Sequence, residues 1–241
     1  GGVSYNWSTG ETTASITVSP AATTTYTVTV TDALGCTDAD DVIVTVYQLP
    51  TVDAGPNVEI CNGQSTTITA VGSGGASPYS YAWSNGLGSG ASKTVSPTAT
   101  TTYHVTITDS HGCTGTDSVT VTVNPLPVAN AGADTTVCLG TTATIMATAT
   151  GGTPGYTYNW NQGLGAGQSH TFTPTTSLNY TVTVTDSKGC TDTDVMRVNV
   201  QSPTANAGPD VAICLGNSTT LTASGGVSYN WSTGETTASI T

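Results

Sequence analysis

The chain has 241 residues, with 15 acidic residues against three basic ones, 28 Gly and 11 Pro. The net charge of −12 disfavours nucleic acid and anionic membrane surfaces as partners. No apolar run approaches the roughly 18 residues that indicate a membrane span. Abundant β-branched Thr and Val, together with turn-forming Gly and Pro, favour an all-β protein.

Repetition is the main feature of the sequence. The segment 1–17 recurs unchanged at 225–241, so the sequence returns to its starting point at Gly225. A shorter period lies inside the long one, because Cys36, Cys113 and Cys190 follow one another at equal spacing. This spacing predicts a tandem array of units of about 77 residues.

The repeat spacing predicts four segments: 1–48 is the C-terminal part of one repeat, 49–125 and 126–202 are full repeats, and 203–241 is the N-terminal part of the next. We expect a window on a longer continuous chain. The alternative is strand exchange, in which 203–241 of one chain completes the first half-repeat of another. The duplicated segment argues against that alternative, because one copy would be redundant.

Each unit contains the same series of strand-like segments. Examples are VEIC at 58–61, STTITAVG at 65–72, YAW at 81–83 and DVIVTV at 41–46. Apolar and polar residues alternate with a period of two, as in half-buried strands. About seven strands separated by turn signals predict an Ig-like antiparallel β-sandwich in each unit.

One Trp and one Tyr recur at fixed positions of the repeat. Trp83 and Trp160 lie on the predicted third strand, and Tyr103 and Tyr180 lie near the start of TTTYTVTVTD-like segments. One large aromatic per small unit favours a core role for these four residues. An aromatic platform for glycans is the alternative for the Trp.

The ordered motifs AGPDxxICxGxSTTLTASGG, YNWSTG and TTTYTVTVTDxxGCT cover the whole chain. They resemble the PKD-like or Ig-like tandem repeats of large secreted surface proteins of Bacteroidota. The resemblance implies secretion, a bacterial cell-surface or extracellular location, and a role in adhesion or gliding-associated filaments.

The six cysteines occupy two positions of the repeat: Cys36, Cys61, Cys113, Cys138, Cys190 and Cys214. No CxxC is present and no His recurs at a fixed position of the repeat, so disulfides in an oxidising compartment are favoured over metal binding.

In an Ig topology the two cysteine positions of one repeat lie at opposite poles, about 25 Å apart, which is too far for a disulfide. This favours Cys61–Cys190 across a junction, with the other four pairing in repeats beyond. Pairing within a repeat, Cys61–Cys113 and Cys138–Cys190, is the alternative.

Acidic residues flank each Gly-Cys turn: Asp32, Asp109 and Asp186 before it, and Asp40, Asp117 and Asp194 after it. Two carboxylates per turn make a weak calcium site. The alternative is that each Asp caps its turn. No other cofactor is expected.

The sequence contains no recurring catalytic constellation. His104, His111 and His170 occupy different repeat positions, so no Ser-His-Asp arrangement repeats. No Gly-rich phosphate loop follows a strand and opens a helix. An enzyme is therefore not predicted.

The triplets Asp117-Ser118-Val119 and Asp134-Thr135-Thr136 resemble the Asp-Ser/Thr-apolar O-glycosylation motif of Bacteroidota. They would place modifications on Ser118 and Thr135.

The predicted function is mechanical, as a structural subunit of an extracellular filament, stalk or fibre whose partners are neighbouring repeats and other copies. The alternative is a cell-surface adhesin that binds glycans or other cells through repeat faces.

Overall fold

A computed structural model describes residues 3–241, which form 23 β-strands and no helix. Residues 3–241 thus include no helix that is long and apolar enough to cross a membrane. The chain divides into two compact units, Gly1–Asn124 and Pro125–Thr241. The predicted all-β class with tandem Ig-like sandwiches is confirmed.

The first unit opens with a three-stranded antiparallel sheet in the order β1-β2-β3. Its strands are β1 (Ser4–Trp7), β2 (Thr24–Thr31) and β3 (Thr37–Val44). Thr and Val alternate along β2, which places Val on one face and Thr on the other.

A full sandwich follows in the same unit. Its strands are β4 (Pro50–Asp53), β5 (Val58–Cys61), β6 (Thr66–Thr69), β7 (Val71–Gly74), β8 (Ser80–Trp83), β9 (Gly88–Ser89), β10 (Ser92–Val95), β11 (Thr101–Thr108) and β12 (Thr114–Asn124). One sheet has the order β5-β12-β11-β8-β9, with β5 parallel to β12. The pairs β4-β7 and β10-β6 form the second layer.

The second unit repeats this arrangement. Its strands are β13 (Pro127–Asn130), β14 (Thr135–Cys138), β15 (Ala143–Met146), β16 (Thr148–Gly151), β17 (Thr157–Trp160), β18 (Gly165–Ala166), β19 (Ser169–Phe172), β20 (Leu178–Thr185), β21 (Thr191–Gln201), β22 (Leu221–Thr222) and β23 (Ser239–Ile240). The sheet order β14-β21-β20-β17-β18 matches that of the first sandwich, and β13-β16 and β15-β19 form the second layer. The final pair, β22-β23, lies in residues 203–241.

The core of each full sandwich contains the recurring aromatic residues. Trp83 and Tyr103 are buried with Ile68 and Val121 in the first. Trp160 and Tyr180 are buried in the corresponding cluster of the second. From the Tyr onward, every second residue of β11 and β20 is buried, because side chains of a strand alternate between its two faces.

The two buried tryptophans differ in hydrogen bonding, and this difference is testable. The indole Nε1 of Trp83 donates to the carbonyl of Gly90 at 3.0 Å, whereas Nε1 of Trp160 is buried without a partner among the described residues. Trp83→Phe and Trp160→Phe remove similar volume, but only the first removes a hydrogen bond. We expect Trp83→Phe to destabilise its sandwich by about 1 kcal/mol more, measured by denaturant unfolding. Equal losses would contradict this.

Candidate functional site

The turn between β11 and β12 is held by the carboxylate of Asp109. Its Oδ1 accepts the backbone N–H groups of His111 and Cys113, each at 2.9 Å, and its Oδ2 accepts that of Ala76 at 3.1 Å. Burial by itself raises the pKa of this carboxyl, but the N–H donors outweigh burial and hold the pKa below its usual 3.8. One side chain therefore fixes both its own turn and the loop after β7.

Asp186 does the same in the second sandwich. Its Oδ1 accepts the N–H groups of Lys188 and Cys190 at 2.9 Å, and its Oδ2 accepts that of Thr153 at 2.8 Å. The Thr153 N–H is the largest cause of the lowered pKa of Asp186, and it outweighs burial. In both full repeats, therefore, one Asp carboxylate holds the turn and a second loop.

The equivalent acids of the first half-repeat are exposed and make local bonds. Asp32 Oδ1 accepts the N–H groups of Leu34 at 2.8 Å and Cys36 at 2.9 Å. Asp40 Oδ1 accepts the N–H of its neighbour Asp41 at 2.9 Å. The hydrogen bonds within the turn of the first half-repeat therefore form without a second loop like the one that Asp109 and Asp186 bind.

A second pair of carboxylates ties the last long strand to the segment after the first strand. Oδ2 of Asp117 accepts the N–H of Ala54, and Oδ2 of Asp194 accepts the N–H of Ala131, each at 2.8 Å and across 63 residues of sequence. The N–H of Ala54 is the main cause of the lowered pKa of Asp117. Both acids brace the sandwich between its layers.

These contacts favour capping and bracing over the weak calcium site. All six acids accept backbone N–H groups, which is the alternative role: Asp32, Asp40, Asp109, Asp117, Asp186 and Asp194. Within residues 3–241 no group of three or more His, Cys, Asp or Glu side chains is placed to hold a metal ion. The carboxylate oxygens accept backbone N–H groups of their own turns or of segments that the fold brings to them.

The sequence patterns did not predict that Asp109 and Asp186 each bind a second loop. Gly75 and Gly152 have φ values of 56° and 57°, in the left-handed region that favours Gly. A Cβ added to Gly75 would lie 2.6 Å from Oδ2 of Asp109, and one added to Gly152 would lie 2.8 Å from Oδ2 of Asp186. The Gly-Gly pair before each Tyr-x-Trp segment is the signal that indicates this contact.

The cysteines divide into two oxidation states. Cys61 and Cys190 are disulfide-bonded, whereas the other four are free thiols: Cys36, Cys113, Cys138 and Cys214. Because Cys113 and Cys138 are free, neither same-repeat pair is formed. If Cys61 pairs with Cys190, the same spacing would place the partner of each free cysteine outside residues 1–241. A disulfide is consistent with an extracytoplasmic compartment, and the bond Cys61–Cys190 stays a prediction.

An aromatic contact that the sequence did not indicate joins the segment before β4 to the β11–β12 turn. The rings of Tyr47 and His111 stack with centroids 3.7 Å apart and an interplanar angle of 11°. Tyr47 has no Tyr counterpart one period later, where Asn124 stands. The contact therefore belongs to one junction and is not part of the repeat pattern.

The remaining predicted residues lie on defined strands. Ser118 is exposed on β12, and Thr135 is half-buried on β14; their O-glycosylation stays a prediction. Trp83 and Trp160 are enclosed in the cores, so neither offers a ring face to a glycan.

Comparison with protein families identifies part of each full repeat. The family described as SprB repeat matches residues 59–88 and 136–165. The second match lies one repeat period after the first, and the two cover corresponding strands, from β5 to the start of β9 and from β14 to the start of β18. No catalytic family is indicated. No curated protein sequence matches the chain.

Solved structures with a similar fold contain tandem Ig or fibronectin-type domains. Three Ig domains of titin are 10% identical, with 83% of this chain and 88% of that chain covered and a TM-score of 0.42. The eight N-terminal Ig domains of Down Syndrome Cell Adhesion Molecule are 16% identical, with 76% and 28% covered and a TM-score of 0.47. Fibronectin(III)-like modules of Clostridium thermocellum CbhA are 14% identical, with 64% and 94% covered and a TM-score of 0.35. These likenesses concern the fold alone.

Proposed function

We propose that this chain is part of the repeat region of a bacterial cell-surface adhesin of the gliding-motility type. The observation that carries the proposal is the SprB-repeat match to the same strands of two successive sandwiches. Repeats of this kind occur in cell-surface proteins, and the oxidised Cys61 and Cys190 are in keeping with export. The proposed location is extracellular, at the bacterial surface.

Within such an adhesin the two full sandwiches serve as a spacer. Their recurring acids brace turns and strands, and their recurring aromatic residues fill cores. Only two residues, Pro125 and Leu126, separate β12 from β13.

We further propose that Cys61 and Cys190 bond to each other and join consecutive repeats. Alkylation of the intact chain followed by non-reducing digestion is expected to label four cysteines and to yield one linked peptide pair containing Cys61 and Cys190. Reduction before digestion is the control and should release both peptides. A linked pair that contains any other cysteine would refute the proposed disulfide between Cys61 and Cys190.

The proposed ligands are glycans or the surfaces of other cells. Support comes from paired hydroxyls on exposed strand faces: Thr69 with Ser92 at 2.9 Å and Thr144 with Thr171 at 2.9 Å. Hydroxyls both donate and accept hydrogen bonds, as polyhydroxylated ligands require.

Two measurements test the adhesin. Antibodies raised against the chain should label intact cells, and purified chain should compete with cells for attachment to a glycan-coated surface. The double variant Thr144→Val with Thr171→Val should compete less well while keeping the fold of its sandwich. Labelling only after lysis, or no competition at any concentration of chain, would refute the proposal.

A structural filament is the second candidate function. It is favoured by the recurrence of one sheet order in two successive sandwiches, because arrays of like units suit an extended fibre. Electron microscopy of the native surface separates the two: filaments of laterally or longitudinally joined copies support this candidate, and isolated surface chains exclude it.

A further inference from the structure

The outer face of the second full sandwich carries the only arginine of the sequence, Arg197 on β21. Arg197 stands directly opposite Asn179 in the pairing of β20 with β21. Nε of Arg197 donates to Oδ1 of Asn199 at 2.9 Å, and Nη1 donates to Oδ1 of Asn179 at 3.3 Å. Two side chains of the same face therefore hold the guanidinium in place.

Both of these partners are neutral amides. An amide oxygen accepts a hydrogen bond without cancelling the positive charge of the guanidinium. A guanidinium has five N–H donors, and the two bonds use two of them. Arg197 and Asn179 are exposed to solvent, so the remaining donors can reach a ligand. The arrangement is a positioned cation with hydrogen-bonding capacity to spare.

The outward positions of β20 and β21 carry no acidic residue: they are Asn, Thr, Val, Arg and Gln. The two acids of β21 lie on its other face. Oδ2 of Asp192 accepts the N–H of Ala129 at 2.9 Å. Oδ2 of Asp194 accepts the N–H of Ala131 at 2.8 Å. In a chain of net charge −12, an anionic group therefore meets little repulsion from these two strands.

The first full sandwich has a different pair at the same positions. One period earlier, Thr102 stands opposite Thr120, and their hydroxyl oxygens lie 3.0 Å apart. The register of the two strands is the same with either pair, so Asn179 and Arg197 are not needed to hold the sheet. Both also lie outside the segment 136–165 that matches the SprB repeat. The arginine is thus a feature of one repeat and not of the repeat pattern.

We propose that Arg197, with Asn179 and Asn199, binds the carboxylate of an acidic saccharide such as a uronic acid. Guanidinium and carboxylate are both planar and form paired, charge-assisted hydrogen bonds. Val195 on the same face is 52% exposed and offers an apolar surface to the C–H groups of a sugar ring. Thr181, directly opposite Val195, offers a hydroxyl to the ring hydroxyls. This inference deepens the proposed glycan binding and rests on that function for its choice of a saccharide.

Titration of the isotope-labelled full chain with an oligouronate tests the proposal through the chemical shifts of backbone amides. We expect saturable shifts concentrated on β20 and β21, with an affinity that falls as salt is added. A neutral oligosaccharide of equal length should bind at least about 10-fold more weakly, and an oligoglutamate should also bind more weakly. Equal binding of the neutral sugar would overturn the role of the carboxylate. Equal binding of oligoglutamate would overturn the saccharide.

Substitutions of the arginine separate recognition by its planar group from attraction by charge. Arg197→Gln is expected to weaken oligouronate binding by about 10-fold or more. Arg197→Lys keeps the charge but loses the planar pair of donors, so it should bind nearly as weakly. Wild-type affinity in either variant would overturn the proposal. Thermal unfolding should show that both variants keep the second sandwich folded.

Lys93→Gln is the charge-matched control for Arg197→Gln. It changes the net charge by the same amount, and Lys93 is half-buried on β10 of the first full sandwich. The Lys93→Gln variant is expected to bind the oligouronate like wild type. A loss equal to that of Arg197→Gln would show that net charge alone drives binding, and it would overturn the site.

Asp134 provides a variant that is expected to bind more tightly. Its Oδ1 accepts the backbone N–H of Arg197 at 2.8 Å. In the first full sandwich, Oδ1 of Asn57 makes the same bond to the N–H of Thr120 at 2.8 Å. Asp134→Asn should therefore keep this bond while it removes a nearby negative charge, which should raise the affinity about twofold at low ionic strength. An affinity that does not rise would contradict an anionic ligand at Arg197.

The outcomes distinguish a failure of this site from a failure of the proposed adhesin. If Arg197→Gln binds the oligouronate like wild type while the chain still competes with cells for attachment, only the site is refuted. If the oligouronate binds through Arg197 but antibodies label cells only after lysis, the adhesin is refuted and the site stands.

Discussion

Trp160→Ala is expected to lower the free energy of unfolding of its sandwich by about 3–5 kcal/mol. Trp160 is 2% exposed and shares its core with Val182 and Val184, which are fully enclosed. Removing the indole loses its burial and leaves a void that neighbouring strands cannot fill. Because a domain has only about 5–15 kcal/mol in total, this loss should remove a large part of the stability of the sandwich and lower its melting temperature markedly.

The same substitution in the last half-repeat is the matched control for Trp160→Ala. Trp231 is half-buried, and Trp231→Ala is expected to leave the unfolding of β13–β21 unchanged. Hydrogen exchange resolved by peptide measures both, because it reports on β13–β21 without using Trp fluorescence. Equal loss of protection in the two variants would show that Trp160 does not anchor the core.

The second large effect is expected from Asp186→Ala. The substitution leaves the N–H groups of Thr153, Lys188 and Cys190 without the carboxylate that accepts them, and buried amides without acceptors are costly. We expect a lower melting temperature and faster exchange at these three amides. Asp32→Ala is the control, since Asp32 is exposed and bonds only within its turn. Unchanged exchange at Thr153 would contradict the brace.

Low pH should lower the stability of both full sandwiches, because it protonates the carboxylates of Asp109 and Asp186. Both have a pKa lowered from 3.8 in the folded chain, so their contribution to stability is fully present above that ordinary value. It is lost progressively as the pH falls below 3.8 and through the lowered folded pKa values. The double variant Asp109→Asn with Asp186→Asn should show a flatter dependence of melting temperature on pH in that range. An identical slope in wild type and variant would contradict this.

The fold of each repeat could be predicted because it depends on local patterns of residues, which can be read from the sequence alone. Alternation of Val and Thr along 178–185 requires one buried and one exposed face, and the regular register of Trp and Tyr places one aromatic anchor in each unit. The bonds that Asp109 makes to His111 and Cys113 are also local, since they stay within a single turn. Patterns of this range are set by strand and turn geometry alone.

Long-range pairing was decided only by the tertiary structure. The N–H of Ala76 reaches Asp109 across 33 residues, and no spacing rule connects a loop to a turn at that distance. The oxidation states likewise divide cysteines that occupy equivalent repeat positions. The parallel pairing of β5 with β12 also joins segments that are far apart in sequence. A strand needs another strand to accept its backbone hydrogen bonds, so its partner is decided by the tertiary structure and not by its own residues.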